Sequence, residues 1–580
     1  MQLRGIWGYA TAWLDRRRGF GWIDAVLLMA LGGILYGLVN LGREWTGELR
    51  PTVEIDLDSN WALVGYTFFS MTRGLIAYLF SLLFTLAYGY WAAKDHVAER
   101  VLVPALDILQ SIPVLGFMPG LVLSLVAAFP DSNVGLELAA VIMIFTGQAW
   151  NMTFSFYHSV RSVPADLQEA ATVYRFNWWE RFKWVELPFS TIGLVWNSMM
   201  SMAGGWFFLM ISESFTLGTH DFRLPGIGSY MTVAVERGRT GAMLKALVAM
   251  VVMIVALDQL LWRPVVAWAQ KFRVEEASTN EAVSSWFLNF LRRSRMIAVL
   301  AWLVSCRARW FAQRAPSAAP DQSLVVKARV PSTFWEWPLR VLFGLLAAAL
   351  AYGAWRLLVL LQDVEISQWL EILEAGLWTL SRVLAATALG TLWALPAGLA
   401  IGLSPKLSRI FQPVVQVVAS FPAPMLFPLV IAVLHWAGVS LGWGSIVLML
   451  LGTQWYILFN VIAGAMAVPA DLREATKSYR MGRWQRFWIL YFPSVFAFLV
   501  TGWVTAAGGA WNASIVAEYV TSHGQVMTTD GLGAQISIAA AKARFPALAA
   551  SVLVMSILVV TFNRIVWQRL YRLATTRYSL

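Results

Sequence analysis

The sequence predicts an all-α polytopic membrane protein of about 12 transmembrane helices, built as two tandem six-helix domains of the same orientation. Composition, the spacing of the apolar stretches and an internal repeat predict it. Of 580 residues, 58% are hydrophobic and 13% charged, whereas soluble domains carry roughly 45 to 50% and about 25%. A soluble enzyme and a disordered chain are both excluded, because this much apolar surface needs a bilayer as solvent. The 31 Trp, 33 Phe and 16 Tyr suit the two membrane–water interfaces, where amphipathic rings collect. The one cysteine, Cys306, excludes a disulfide framework, and the five His (96, 158, 220, 435, 523) lack ligand spacing. No catalytic residue and no metal site is expected. The net charge of +11 is read as basic loops held on the cytoplasmic side rather than as a nucleic-acid surface.

A helix rises 1.5 Å per residue through about 30 Å of hydrocarbon, so each span needs roughly 20 apolar residues. Such stretches lie near 22–41, 74–93, 102–127, 135–156, 191–212 and 242–262. A second set lies near 340–361, 383–403, 411–434, 443–465, 494–516 and 546–566. Arg16, Arg17 and Arg18 before the first span place the N-terminus inside, and no cleavable signal is visible. The acidic loop Gly42 to Asn60 then falls outside, while Lys94 and Arg100, Arg161 to Lys183, Lys406 and Arg409, and Arg473 to Arg486 fall inside. Both termini are expected in the cytoplasm.

Self-comparison supplies the domain plan. Arg73, Arg100, Pro104, Ser111, Pro113 and Pro119 recur 309 residues on, as Arg382, Arg409, Pro413, Ser420, Pro422 and Pro428. Gly147, Trp150, Phe154, Glu213, Gly226, Gly228 and Trp262 recur 305 residues on, as Gly452, Trp455, Phe459, Glu518, Gly531, Gly533 and Trp567. Each half holds an even number of spans, so the two share one orientation about an axis along the membrane normal, enclosing a central pathway. The expected domains are 1–270 and 338–580. Residues 271–337 form a basic cytoplasmic linker between them, with a short apolar stretch at Met296 to Val304 read as an interfacial helix.

The strongest signal outside the spans is a polar cytoplasmic segment present twice: VPADLQEAATVYRFNWWERFKWVELP (Val163 to Pro188) and VPADLREATKSYRMGRWQRFWILYFP (Val468 to Pro493). Thirteen of 26 positions are identical. Each copy reads as a short helix with Asp166 or Asp471 as its cap and Glu169 or Glu474 closing a capping box. Small residues follow (Ala170, Ala171; Ala475, Thr476), then Tyr174-Arg175 or Tyr479-Arg480, and a second amphipathic turn containing Arg181 or Arg486. Such a knob suits a groove on another protein.

This pattern resembles the EAA coupling motif of bacterial ABC importer permeases, the binding-protein-dependent transport family. The likeness covers nearly the whole chain twice, since Arg382 to Gly402 followed by Ser420-Phe-Pro-Ala-Pro and Pro428 is also similar to that family's core. Ala507 to Glu518, with Gly531-Leu-Gly533, is closest to its nitrate, sulfonate and taurine type. The family's usual Gly in the motif is Arg175 and Arg480 here, which puts the turn between the short helices in question. The resemblance implies a cytoplasmic ATPase dimer docked on both coupling segments, a periplasmic or lipid-anchored solute-binding protein, and location in a bacterial inner membrane. None of the eight Lys follows a Gly, so the chain has no G-x-x-x-x-G-K-[ST] loop. ATP and Mg²⁺ are accordingly expected on the partner ATPase, with no cofactor in this chain.

Within the spans, Glu213 and Glu518 are candidates to gate the pathway or to brace an outer loop, since a carboxylate in a bilayer must face protein or water. Gln148, Asn151, Gln454, Asn512 and Ser514 are neutral polar candidates for the pathway wall or for helix-to-helix hydrogen bonds. The expected function is the translocation pathway of an ABC importer for a small solute, an anion such as nitrate, a sulfonate or a related oxyanion. A secondary transporter of parallel six-plus-six repeats and a membrane scaffold are the rival readings.

Overall fold

Among the described residues, nine helices are long and apolar enough to cross a membrane. Five precede the linker: Trp22–Thr46, Asn60–Lys94, Val134–Arg161, Trp178–Ser212 and Thr240–Phe272. Four follow it: Ile366–Leu403, Leu441–Ala467, Arg483–Ala517 and Phe545–Ala574. The structure is a computed structural model that describes residues 22–217, 220–272, 285–294, 296, 348, 351–522 and 525–577. The expected interfacial stretch at 296–304 lies outside the described residues except for residue 296, as do Cys306 and most of the linker.

Two expected spans are not single straight helices. Over 102–127 the chain forms one helix at His96–Ser111 and another at Val114–Ala128. Over 411–434 it forms Pro405–Ala419 and Ala423–Trp436, bent by 79°. The cause is local and the same in both copies. Pro113 and Pro422 lack an amide donor and exclude helical backbone from the residue before them, and Ile112 is indeed extended at φ −78°, ψ 126°.

The repeat is legible in the backbone, element by element. Val134–Arg161 corresponds to Leu441–Ala467, Leu187–Ser212 to Phe492–Ala517, and Thr240–Leu257 to Phe545–Phe562. Even the π-helical turns recur, at Phe182–Glu186 and Phe487–Tyr491, and again at Asp258–Trp262 and Asn563–Trp567. Each half also carries a small antiparallel hairpin that the all-helical reading did not contain. One pairs Ser214–Leu217 with His220–Arg223, the other Tyr519–Ser522 with Gln525–Thr528.

The described residues divide into two compact units. The larger, within 41–282 and 363–580, contains both sets of repeated elements and their cores. One core joins Ala394, Leu399, Ile457, Val461, Val495 and Leu499 of the second half. Another joins Ala92, Met152, Phe156, Val160 and Leu194 of the first. The smaller unit, within 1–40 and 283–362, contains most of the Trp22–Thr46 helix, which is the first expected span, and the described part of the 340–361 span. In it Asp24 is buried and accepts from Ser294 Oγ at 2.7 Å and from the Met296 amide at 3.2 Å.

Candidate functional site: coupling segments, buried braces and a central cavity

Each coupling segment folds as two short helices joined by a tight turn. The first copy has Ala165–Val173 and Trp178–Arg181, the second Ala470–Ser478 and Arg483–Arg486. The capping box expected at Asp166 and Glu169 does not form. Pro164 and Pro469 stand at the N-cap instead, with backbone already set at φ −56° and −58°, and no side chain caps either helix. Their fixed φ opens the helix two residues earlier and leaves Asp166 and Asp471 in the first turn, where a negative charge meets the positive end of the helix. A capping box does occur, but on the second short helix. Asn177 Oδ1 accepts from the Glu180 amide at 2.8 Å, and Glu180 Oε2 accepts from the Asn177 amide at 2.9 Å.

Arg175 and Arg480 take the left-handed conformation that a glycine favours, at φ 52° and 51°. The Arg175 amide donates to Thr172 O (3.0 Å) and the Phe176 amide to Ala171 O (2.9 Å), which closes a Schellman turn. Arg480 to Lys477 O (2.9 Å) and Met481 to Thr476 O (3.1 Å) repeat it. The turn is therefore retained with Arg in the glycine place, at a conformational cost of roughly 1–2 kcal/mol each. Ala171 and Thr476 are 3% and 7% exposed, so the second small residue of each pair faces inward. Asp166, Glu169, Ala170, Tyr174, Arg175, Asp471, Glu474, Tyr479 and Arg480 are all exposed, and Ala475 is half-buried. Arg181 reaches back from the second short helix to donate to Thr172 Oγ1 at 2.8 Å. Arg181 and Arg486 are half-buried.

Glu213 and Glu518 sit at the C-caps of Leu187–Ser212 and Phe492–Ala517, each 0% exposed. Glu213 Oε1 pairs with Arg73 and accepts from Ser70 Oγ at 2.6 Å, while Oε2 accepts from the Gly228 amide at 2.7 Å. Ser70 Oγ in turn accepts from the Ile227 amide at 2.8 Å. The second half repeats this with Arg382 (2.9 Å), Thr379 (3.0 Å) and the Gly533 amide (2.9 Å) on Glu518, and the Leu532 amide on Thr379 (2.8 Å). Each brace ties the Asn60–Phe84 or Ile366–Leu403 helix to the end of another span and to the helix after the hairpin. The copies differ in one group: Arg73 also holds Glu137 at 2.6 Å and 2.8 Å, where the repeat places Gly442. In the second half Arg382 spends that capacity on Thr529 Oγ1 (3.1 Å) and Asp530 O (2.5 Å).

Gly226 and Gly531 pass so close to these carboxylates that a Cβ would collide with Glu213 or Glu518. Gly226→Ala is therefore expected to destabilise the chain by about 1–3 kcal/mol, as overpacking does. Gly241→Ala, with nothing within 4 Å of the added atom, is expected to leave the unfolding temperature unchanged in the same assay.

Between the halves lies a cavity of about 190 Å³. Repeat-related residues of both halves line it: Gly147 and Gly452, Trp150 and Trp455, Gly204 and Gly509. Aromatic rings and small residues line the wall, amides from Gln110, Asn151, Gln416, Asn512 and Asn563 punctuate it, and none of the lining residues is charged. The Val114 amide of the first half donates to Asn512 Oδ1 of the second at 2.9 Å, a hydrogen bond that joins the halves at the wall.

A family model described as "Binding-protein-dependent transport system inner membrane component" matches residues 60–261 and again 390–572. The chain belongs to that family.

This permease is similar to the taurine transport system permease protein of Escherichia coli (strain K12), 24% identical over 36% of this chain and 86% of that one. It is similar to a nitrate import permease protein of Synechocystis sp., 26% identical over 24% of this chain and half of the relative. It is also similar to a glycine betaine transport system permease protein of Bacillus subtilis, 25% identical over 46% of this chain and 84% of the relative. Like them it is a transport permease. Of the expected pathway residues, the cavity wall contains Asn151 and Asn512. Gln148 is buried beside it, donating to Met202 Sδ at 3.3 Å and lying 3.4 Å from Ser81 Oγ. Ser514 is buried and donates to Trp511 O at 2.8 Å, and Gln454 is half-buried away from the wall. Glu213 and Glu518 face Arg73 and Arg382 rather than the cavity.

Sequence reasoning missed Ser70, Thr379 and Glu137 as members of the braces. Ser70 and Thr379 stand 309 residues apart like Arg73 and Arg382, so a comparison that scored hydroxyls as equivalent would have found them.

Proposed function

We propose that this permease forms the complete pathway of an ABC importer for a small anion such as nitrate, a sulfonate or a related oxyanion. A separate ATPase dimer docks on both coupling segments, binds ATP and Mg²⁺, and drives the gate; an external solute-binding protein delivers the solute. The observation that carries this is the duplicated coupling segment. In both copies a small residue is packed inward while the motif's Glu, Tyr and Arg stay exposed, an arrangement that serves a partner and not this fold. An uncharged cavity wall supports a division of labour in which the binding protein selects the cargo and amide dipoles pass it on. Ion-coupled secondary transport draws less support, because the buried carboxylates Glu213 and Glu518 are each already paired with an Arg.

Purifying the chain with its neighbouring gene products tests the reading: co-purification of an ATPase supports it, and a chain that transports in proteoliposomes without one sinks it. Transport of an anion panel with the cognate binding protein then assigns the cargo. Both termini are placed in the cytoplasm of a bacterial cell. A Cys at Asp56 is therefore expected to label from outside and one at Ser317 to stay unlabelled; the reverse pattern would invert the topology.

A further inference from the structure

The two coupling segments carry the same backbone and different charge. Val163 to Pro188 holds four acidic and three basic residues, net −1, whereas Val468 to Pro493 holds two acidic and five basic, net +3. Three added cations supply most of the difference. Gln168, Thr172 and Trp178 of the first copy correspond to Arg473, Lys477 and Arg483 of the second.

Arg473 and Lys477 stand four residues apart on one face of the Ala470–Ser478 helix. The Schellman turn then brings Arg480 and Arg483 in directly after that helix. Lys477, Arg480 and Arg483 are exposed and Arg473 half-buried. Among the described residues none of the four has a carboxylate partner. The first copy presents apolar surface at the same place, with Val173 79% and Trp178 69% exposed. Four unpaired cations on one small knob repel one another, and a like-charged cluster of this kind is relieved when it meets opposite charge.

Resting on the docking reading above, we propose that the second coupling segment is a basic face that meets an acidic rim on the ATPase, while the first is held chiefly by burial of aromatic surface. The two contacts then respond differently to salt, because exposed charge pairs are screened and apolar burial is not.

The test measures the affinity of the co-purifying ATPase for the chain in phosphatidylcholine nanodiscs, at about 50 mM and about 300 mM NaCl. One variant gives the second segment the residues of the first, Arg473→Gln, Lys477→Thr and Arg483→Trp. The reciprocal variant carries Gln168→Arg, Thr172→Lys and Trp178→Arg. Both use residues that the same backbone already accommodates in the other copy, which protects the fold. The native chain is expected to bind about tenfold more weakly at the higher salt, the first variant to bind about tenfold more weakly at low salt with little salt dependence left, and the reciprocal variant to show a steeper dependence. Native affinity and slope in the first variant would overturn the inference while leaving the docking reading intact. A native chain that binds no ATPase at either salt overturns both. If the basic residues matter only when phosphatidylglycerol is added to the discs, an anionic lipid surface takes this face and the proposal fails.

Discussion

Arg73→Met is expected to cause the largest loss of folded permease of any single substitution in the buried braces. Arg73 is fully buried, with Nε and Nη2 on Glu137 and Nη1 on Glu213. Removing it leaves two carboxylates in the protein interior with no cation, and breaking a buried pair by deleting one partner costs about 3–5 kcal/mol. Arg382→Met is expected to cost less, since Arg382 compensates one carboxylate, Glu518, and its other contacts are the neutral Thr529 Oγ1 and Asp530 O. Replacing the orphaned acid should recover part of the loss, so Arg73→Met with Glu213→Gln is expected to unfold at a higher temperature than Arg73→Met alone. Thermal unfolding midpoints in nanodiscs decide it: equal midpoints for Arg73→Met, Arg382→Met and the native chain would mean that the braces do not hold the spans.

The braces also mark where sequence reasoning reaches and where it stops. Hydropathy places spans because the bilayer imposes one length on every helix, and the duplication follows from matched residues at constant offset. Arg73 and Glu213 were each visible as repeated residues, yet 140 positions separate them, and nothing in either's neighbours indicates that they meet. Only the fold brings Ser70, Arg73, Glu213 and the Gly228 amide together, and only then does the replacement of Glu137 by Gly442 become a difference in charge between the halves. The breaks at Pro113 and Pro422 are legible in principle, since both prolines repeat; the near absence of charge across 102–127 and 411–434 makes each stretch read as one span. At the coupling segments the D-x-x-E spacing suggested a capping box, but Pro164 and Pro469 already fix the backbone at the helix start, so the acids one turn inside were free for another purpose. The hairpins escaped notice because four-residue strands are too short to show a period of two.

That freedom of the coupling-segment acids leads to the second large effect. Glu169→Ala combined with Glu474→Ala is expected to abolish solute-stimulated ATP hydrolysis while leaving the chain as stable as before. Neither Glu caps its helix, both are exposed, and among the described residues neither makes a hydrogen bond or an ion pair within the chain. Substituting such residues ordinarily changes stability by no more than about 0.5 kcal/mol, so the unfolding midpoint should not move. Docked in an ATPase groove, the same carboxylate would be desolvated against a donor, and truncating one member of a buried charged pair costs about 2–5 kcal/mol. Two such losses amount to well over a hundredfold in affinity, at about 1.4 kcal/mol per factor of ten. Each single substitution is expected to give a partial defect of unequal size, because the second segment keeps the unpaired Lys477 and Arg483 beside Arg480 to hold the partner, where the first has only Arg175, the counterpart of Arg480. Glu169→Ala alone should therefore be the more damaging of the two. The reading is solute-stimulated ATPase activity of the reconstituted complex alongside the unfolding midpoint. Full stimulation in the double variant would show that these acids are idle surface, and a lowered midpoint would show that they serve the fold after all.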